Sequence, residues 1–332
     1  MQNGIVKLNG KAKILSCAAV AGKKEAEGPL GNRFDYTDKT DRFDEKSWEK
    51  SEEKMQKKAL TFALNKKGFV EHDIDAMFAG DLINQCTSSA YGLLDFDIPF
   101  FGLYGACSTA AEGLILSSLL IETGLFKKVA AVTSSHFYSS ERQYRFPIEY
   151  GGQRAPTAQW TVTAAGAFII GEGESNIAIT EVMPGKAIDK GINDLNNMGA
   201  AMAPAAIETL ASYFSESDMS PDDFDLIVTG DLAYEGSRIV SEFMIAHGFT
   251  SKTKYDDCGL MIFDRERQDV HAGGSGCGCS AAVLASYIIP EMQRGNLHHV
   301  LAVGTGALMS PLGVEQGGNI PGIGHLIHLE RV

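Results

Sequence analysis

Positive charge is scarce in this sequence. Lys and Arg total 29 against 42 Asp and Glu, a formal net charge of −13 over 332 residues. Such a chain has little surplus with which to neutralise phosphates. That argues against a nucleic-acid partner and against adhesion to anionic lipid through a basic patch. Cysteine is sparse too. Of six, only Cys277 and Cys279 stand close together, which is no disulfide scaffold and fits a reducing compartment. No apolar run reaches the roughly 18 residues of a membrane helix. Residues 14–17 imitate a lipoprotein cleavage site, but Lys7, Asn9, Lys11 and Lys13 lie where a signal peptide needs apolar residues. This stretch reads instead as a first strand over 12–19. The expectation is a soluble, cytoplasmic-type protein whose membrane association is peripheral and runs through protein partners. Proline is lean at 10 and glycine rich at 36, a mix that suits tight strand–helix turns. With 44% apolar and 21% charged residues, wholesale disorder is excluded.

What is present is a repeat. Residues 73–82, DIDAMFAGDL, return at 223–232 as DFDLIVTGDL, an offset of 150. Gly105, Ala110, Ala111, Gly124, Val129, Ala131 and Val132 return at an offset of 171 as Gly276, Ala281, Ala282, Gly295, Val300, Ala302 and Val303. Two echoes in the same order predict a duplicated unit, with halves at 1–175 and 176–332 and an insertion near 23–45. Each unit reads as a buried strand (76–79 or 226–229), a Gly-Asp turn, a small-residue helix (108–122 or 280–293) and a second apolar strand (129–133 or 300–304). Gly124 and Gly295 stop the helices. Alternating strands and helices predict an α/β protein with helices on the faces of a parallel or mixed sheet. The Ala- and Ser-rich helices are expected in the middle, between two sheets. Residues 48–64 form an amphipathic surface helix with Trp48, Met55, Ala59, Phe62 and Ala63 inward. Residues 183–204 read as irregular.

The sharpest local feature is FGLYGACSTAAEGL, residues 101–114. It sets Cys107 at the first turn of a helix after a glycine turn, with Ser108 beside it. Helix N–H groups favour a thiolate there and can hold an anion. A small buried cysteine is the plainer reading. The strand end Thr133-Ser134-Ser135-His136 offers hydroxyls and an imidazole to a ligand carboxylate, or satisfies its own turn. Arg142, Arg145 and Arg154 cluster near Tyr144 and Tyr150. They suit an anion, or simply a solvated loop. Gln159 and Trp160 add an amide and a flat wall. The glycine run 273–278 has no Lys after it and is no phosphate loop. Cys277, Cys279 and His271 make too weak a pattern for a metal site. No metal or cofactor is expected.

These features together resemble the thiolase superfamily, which includes the β-ketoacyl-acyl-carrier-protein synthases. The resemblance implies a thiolase-like α/β fold of duplicated βαβαβαββ halves in a five-layered αβαβα sandwich, and a homodimer whose sheets continue across the two-fold axis. The strings GDLINQC (80–86), FGLYGACSTAAEGL (101–114), AAVTSSHFYSSERQYRFP (130–147), GGQRAPTAQWTVT (151–163) and HAGGSGCGCSA (271–281) are similar to a sporulation branch of that superfamily. Condensing members pair the cysteine with two His, or one His and one Asn. Cys107 and His271 match that pattern. Where the first His belongs, this chain has Asp231. An ionised carboxylate cannot donate a proton, and it raises the pKa of a nearby thiol. The branch resemblance therefore implies binding rather than condensation. The implied ligand is dipicolinic acid (pyridine-2,6-dicarboxylate), alone or as its calcium chelate. It would be held by Cys107, Ser108, Ser134, Ser135, His136, Arg154, Gln159, Asp231 and His271. Membrane proteins of the same operon, at the spore inner membrane, are the implied partners. An acyl-transfer or condensing enzyme with Cys107 as nucleophile is the alternative. A scaffold with an empty pocket is a third.

Overall fold

The computed structural model describes residues 4–144, 154–247 and 254–332. Ten strands carry the architecture: β1 (Lys13–Ala21), β2 (Ala76–Gly80), β3 (Phe100–Leu103), β4 (Lys128–Ser135), β5 (Ala164–Gly171), β6 (Ile177–Met183), β7 (Leu226–Thr229), β8 (Tyr255–Asp257), β9 (His299–Ala307) and β10 (Gly322–Arg331). Their spatial order is β8-β7-β9-β10-β6-β1-β5-β4-β2-β3, and the two-residue strands Val6–Lys7 and Tyr36–Thr37 attach to β6 and β1. The order is symmetric about its centre. In the first half β2 runs parallel to β3 and β4, β4 antiparallel to β5, and β5 antiparallel to β1. In the second half β7 runs parallel to β8 and β9, β9 antiparallel to β10, and β10 antiparallel to β6. The echo in the sequence is thus an echo in topology. The halves join where Lys13 of β1 pairs with Ala178 of β6.

Strand alternation builds the layers, because successive side chains point to opposite faces. From β1, Ile14, Cys17, Ala19 and Ala21 enter a central core, while Leu15, Ala18 and Val20 enter an outer one. The outer core of the first half is closed by α1 (Trp48–Asn65), which supplies Met55, Ala59, Leu60 and Ala63. In the second half Leu226, Val228, Val300 and Ala302 face the central core. Ile227, Leu301 and Val303 face an outer core that contains Ala201, Met202, Ala206 and Leu210 of α4 (Met198–Glu216). Between the sheets lie α2 (Thr109–Glu122) and α6, which runs as Cys277–Val283, a π turn Leu284–Ile288 and Ile289–Arg294. Two further helices bear on the site, α3 (Phe137–Tyr144) and α5 (Ala233–Ala246).

Small residues let these layers close. A Cβ on Gly304 of β9 would lie 2.4 Å from the Ala111 Cβ of α2. A Cβ on Gly306 would lie 3.0 Å from both the Gly105 carbonyl and the Ser108 amide. Larger side chains here would lift the Cys107 turn off the second sheet.

Three elements differ from the sequence expectation. The second central helix begins at Cys277 rather than 280, because Gly276, at φ +106, turns the chain directly into it. Its π turn precedes Pro290, whose ring cannot donate to the ladder. Residues 198–204 are helical, capped by the Asn197 side chain accepting from the Ala200 amide. The inner face of α1 also carries Glu52 and Gln56, both fully buried.

Candidate functional site

Cys107 lies in a short 3-10 turn, Ala106–Ser108, that leads into α2. Ala106 sits at φ +52, in the left-handed region. The Ser108 hydroxyl donates to the Gly105 carbonyl at 2.6 Å and ties the turn shut. A cavity of about 270 Å³ lies against the thiol. Its lining includes the apolar Leu82, Met198, Leu308 and Met309 and the rings of Tyr104 and Tyr144. It also includes the polar Ser140, Glu141, Thr161 and Ser275. The Tyr144 hydroxyl donates to the Leu82 carbonyl at 2.6 Å and lies 2.6 Å from the Tyr104 hydroxyl. The Thr161 hydroxyl donates to Glu141 at 3.0 Å.

Ser275 and Asp231 are the polar neighbours of Cys107. The Ser275 Oγ is 3.9 Å from the thiol. Asp231 is buried and hydrogen-bonded through both oxygens. Its Oδ2 accepts from the Ser275 hydroxyl and the Gly276 amide, each at 2.9 Å, and its Oδ1 accepts from the Thr305 hydroxyl at 2.8 Å. Burial raises the Asp231 pKa despite these bonds. Burial, and then the charge of Asp231, push the Cys107 thiol well above its ordinary value. The sequence expectation of a thiol activated by helix N–H groups is therefore reversed. Desolvation and an adjacent carboxylate outweigh the partial positive charge of a helix end.

Asp257 supports this corner from behind. Its Oδ1 accepts from the amides of Ala233 and Gly259, and its Oδ2 from the Leu232 amide and the Thr229 hydroxyl. Burial holds its pKa up at about 7. The Gly-Asp turn after β7 is thereby fixed, and Asp231 with it.

His271 stands apart from the cavity wall. Its Nδ1 lies 2.7 Å from the Ala155 carbonyl and its Nε2 3.1 Å from Asp269. Three and four residues later, Gly274 and Ser275 pair with Trp160 and Thr161, and Ser275, not His271, lies near the thiol. The strand end 133–136 also spends its groups internally. The Ser134 hydroxyl donates to Glu52 at 2.8 Å, and that of Ser135 to the Val162 carbonyl at 2.7 Å. His136 is buried with Nε2 2.8 Å from the Asp41 carbonyl, and burial pushes its pKa down to about 4. The Arg154 guanidinium lies over the Trp160 ring at 4.8 Å and donates to the Gln159 carbonyl. The Gln159 amide donates to the Asp231 carbonyl at 2.6 Å. Arg142 pairs with Glu49. Arg145 and Tyr150 lie outside the described residues.

Of the sequence candidates, then, Cys107 lines the cavity and Asp231 lies behind it, with Gln159 at the Asp231 backbone. Ser275, Thr305, Ser140 and Glu141 were missed. The repeat carried a signal for one of them. Thr305 stands 171 positions after Ser134, the same offset as the helix echo, so polar residues end both copies of that strand.

Comparison with known proteins bears on this geometry. Residues 2–330 match the family model described as Stage V sporulation protein AD. The Stage V sporulation protein AD of Bacillus subtilis (strain 168) is 44% identical over 318 residues, covering 96% of this chain and 94% of that protein. Among solved structures, 3-oxoacyl-[acyl-carrier-protein] synthase III from Aquifex aeolicus VF5 superposes with a TM-score of 0.59 at 12% identity, over 96% of this chain and 99% of that one. A variant of Xanthomonas campestris OleA does so with a TM-score of 0.62 at 12% identity, over 98% and 100%. These two likenesses are of fold: the thiolase-like α/β architecture.

Proposed function

We propose that this chain, which belongs to the Stage V sporulation protein AD family, binds dipicolinic acid in the cavity at Cys107 without transforming it. In this reading it supports uptake of the acid into the developing spore together with membrane partner proteins. The observation that carries it is a ligand-sized cavity built over a disarmed cysteine. Burial, and then the charge of Asp231, push the thiol pKa up, which disfavours the thiolate that a condensation needs. No histidine lines the cavity among the described residues. At about 270 Å³ it falls just below the roughly 300–1,000 Å³ range of ligand pockets. That suits a single substituted ring better than a long acyl chain.

Two further parts of the reading concern partners. Among the described residues no helix is long and apolar enough to cross a membrane, so a place at the spore inner membrane would depend on other proteins. A second copy of the chain would pair along β3, the end strand of the sheet, where Phe100 and Phe101 are exposed.

The test is calorimetric titration of dipicolinate, with and without calcium, into the wild type and Cys107→Ala. Saturable heat in the wild type and weaker binding in the variant are expected. No heat above the buffer control at millimolar ligand would overturn the binding reading. A covalent acyl adduct on Cys107 after incubation with acyl-coenzyme A, seen by mass spectrometry, would replace it with the condensing enzyme.

A further inference from the structure

The cavity wall contains a hydroxyl that nothing in the fold uses. Ser140 lies in α3, lines the cavity and is 2% exposed. Its Oγ is shielded from water and has no hydrogen-bond partner among the described residues. Its neighbours in the lining are spent differently. The Thr161 hydroxyl is given to Glu141, and that of Ser275 to Asp231. One turn further along the same helix the Tyr144 hydroxyl is given to the Leu82 carbonyl. A buried hydroxyl without a partner is destabilising. The hydroxyls of Ser88, Ser117, Ser280 and Ser286 are unpaired as well, but none of those four lines the cavity.

α3 is also held firmly from outside, which makes it a fit mount for a recognition group. The Ser139 hydroxyl donates to Glu52 at 2.7 Å, Arg142 pairs with Glu49, and the Tyr138 ring stacks on Trp48 at 4.1 Å. Three contacts with the first turns of α1, at Trp48, Glu49 and Glu52, therefore fix the backbone on either side of the residue that carries the unused hydroxyl. One staggered step about χ1 changes where that hydroxyl points.

We infer that Ser140 is a specificity-determining residue of the cavity: its hydroxyl donates a hydrogen bond to a carboxylate oxygen of the bound ligand. The assignment rests on the binding reading above and adds the group that reads the ligand's charge.

The inference gives two effects of opposite sign. Ser140→Ala removes an unsatisfied group, so the ligand-free variant should melt at the same temperature as the wild type or higher. The same change should weaken dipicolinate binding about tenfold, the loss of one hydrogen bond to a charged acceptor. Pyridine, which has no carboxylate, should show no difference between the two proteins. Both melting and titration are read on the full chain. If the wild type binds dipicolinate and Ser140→Ala binds it equally well, Ser140 is not the reader and the binding reading stands. A lower melting temperature together with weaker binding would mean a structural role and would also overturn the inference. If the wild type binds no dipicolinate, both readings fall together.

Discussion

The Ser275 hydroxyl donates to Asp231 at 2.9 Å and stands 3.9 Å from the Cys107 sulfur. This bond sets the polar surroundings of the thiol. The serine proton is given to the carboxylate, away from the sulfur. A carboxylate placed behind it opposes formation of a thiolate. Cys107 is buried and lines the cavity beside that carboxylate.

Asp231→Asn tests that electrostatic account. Removing the charge should lower the Cys107 pKa and speed alkylation of the thiol at mildly alkaline pH. Peptide mass spectrometry after iodoacetamide treatment reads the rate. An unchanged rate would show that burial alone holds the thiol. The variant should also lose about 1–3 kcal/mol of stability. An amide cannot accept at both of its ends, and the Gly276 amide and the Thr305 and Ser275 hydroxyls all donate to Asp231.

Glu52 sets a pH dependence of folding. Burial, with the nearby Asp81 charge second, raises its pKa to about 8 in the fold from 4.5. The folded state therefore binds more protons than the unfolded chain between those values. Glu52 contributes stability that is fully present below pH 4.5 and lost as pH rises towards 8. His136 acts oppositely. Its folded pKa of about 4 lies below the ordinary 6.5, so its contribution is present above 6.5 and lost as pH falls to 4. Glu52→Gln should melt a few degrees above the wild type at pH 8 and lose that advantage at pH 5. The Ser139 hydroxyl also reaches the His136 carbonyl at 3.1 Å, so it can turn from donor to acceptor beside the new amide. Equal differences at both pH values would refute the assignment.

Phe101→Glu tests the end strand. Phe101 is 51% exposed on β3, so the change should cost little stability in a lone chain. If two copies pair along β3, facing glutamates would repel, and the molar mass by light scattering should fall from dimer to monomer. A monomeric wild type would dispose of the pairing.

The comparison of sequence with structure divides along physical lines. The repeat, the strand at 76–79, the Gly-Asp turns and the small-residue central helices were legible because each depends on near neighbours. Periodicity, turn glycines and side-chain size act within a few residues. Cys107 was legible for the same reason, since a glycine turn before a helix marks its own first turn. The internal use of Ser134, Ser135 and His136 was not legible. Their partners Glu52, Val162 and Asp41 lie 82, 27 and 95 positions away.

The sequence by itself determined the duplicated α/β architecture, the acidic surface and the position of the cysteine. Only the tertiary structure decided what that cysteine can do. Its pKa depends on how much water the two sheets exclude and on which carboxylate they bring beside it. Both follow from packing between residues well over a hundred positions apart, and no local pattern encodes the distance between them.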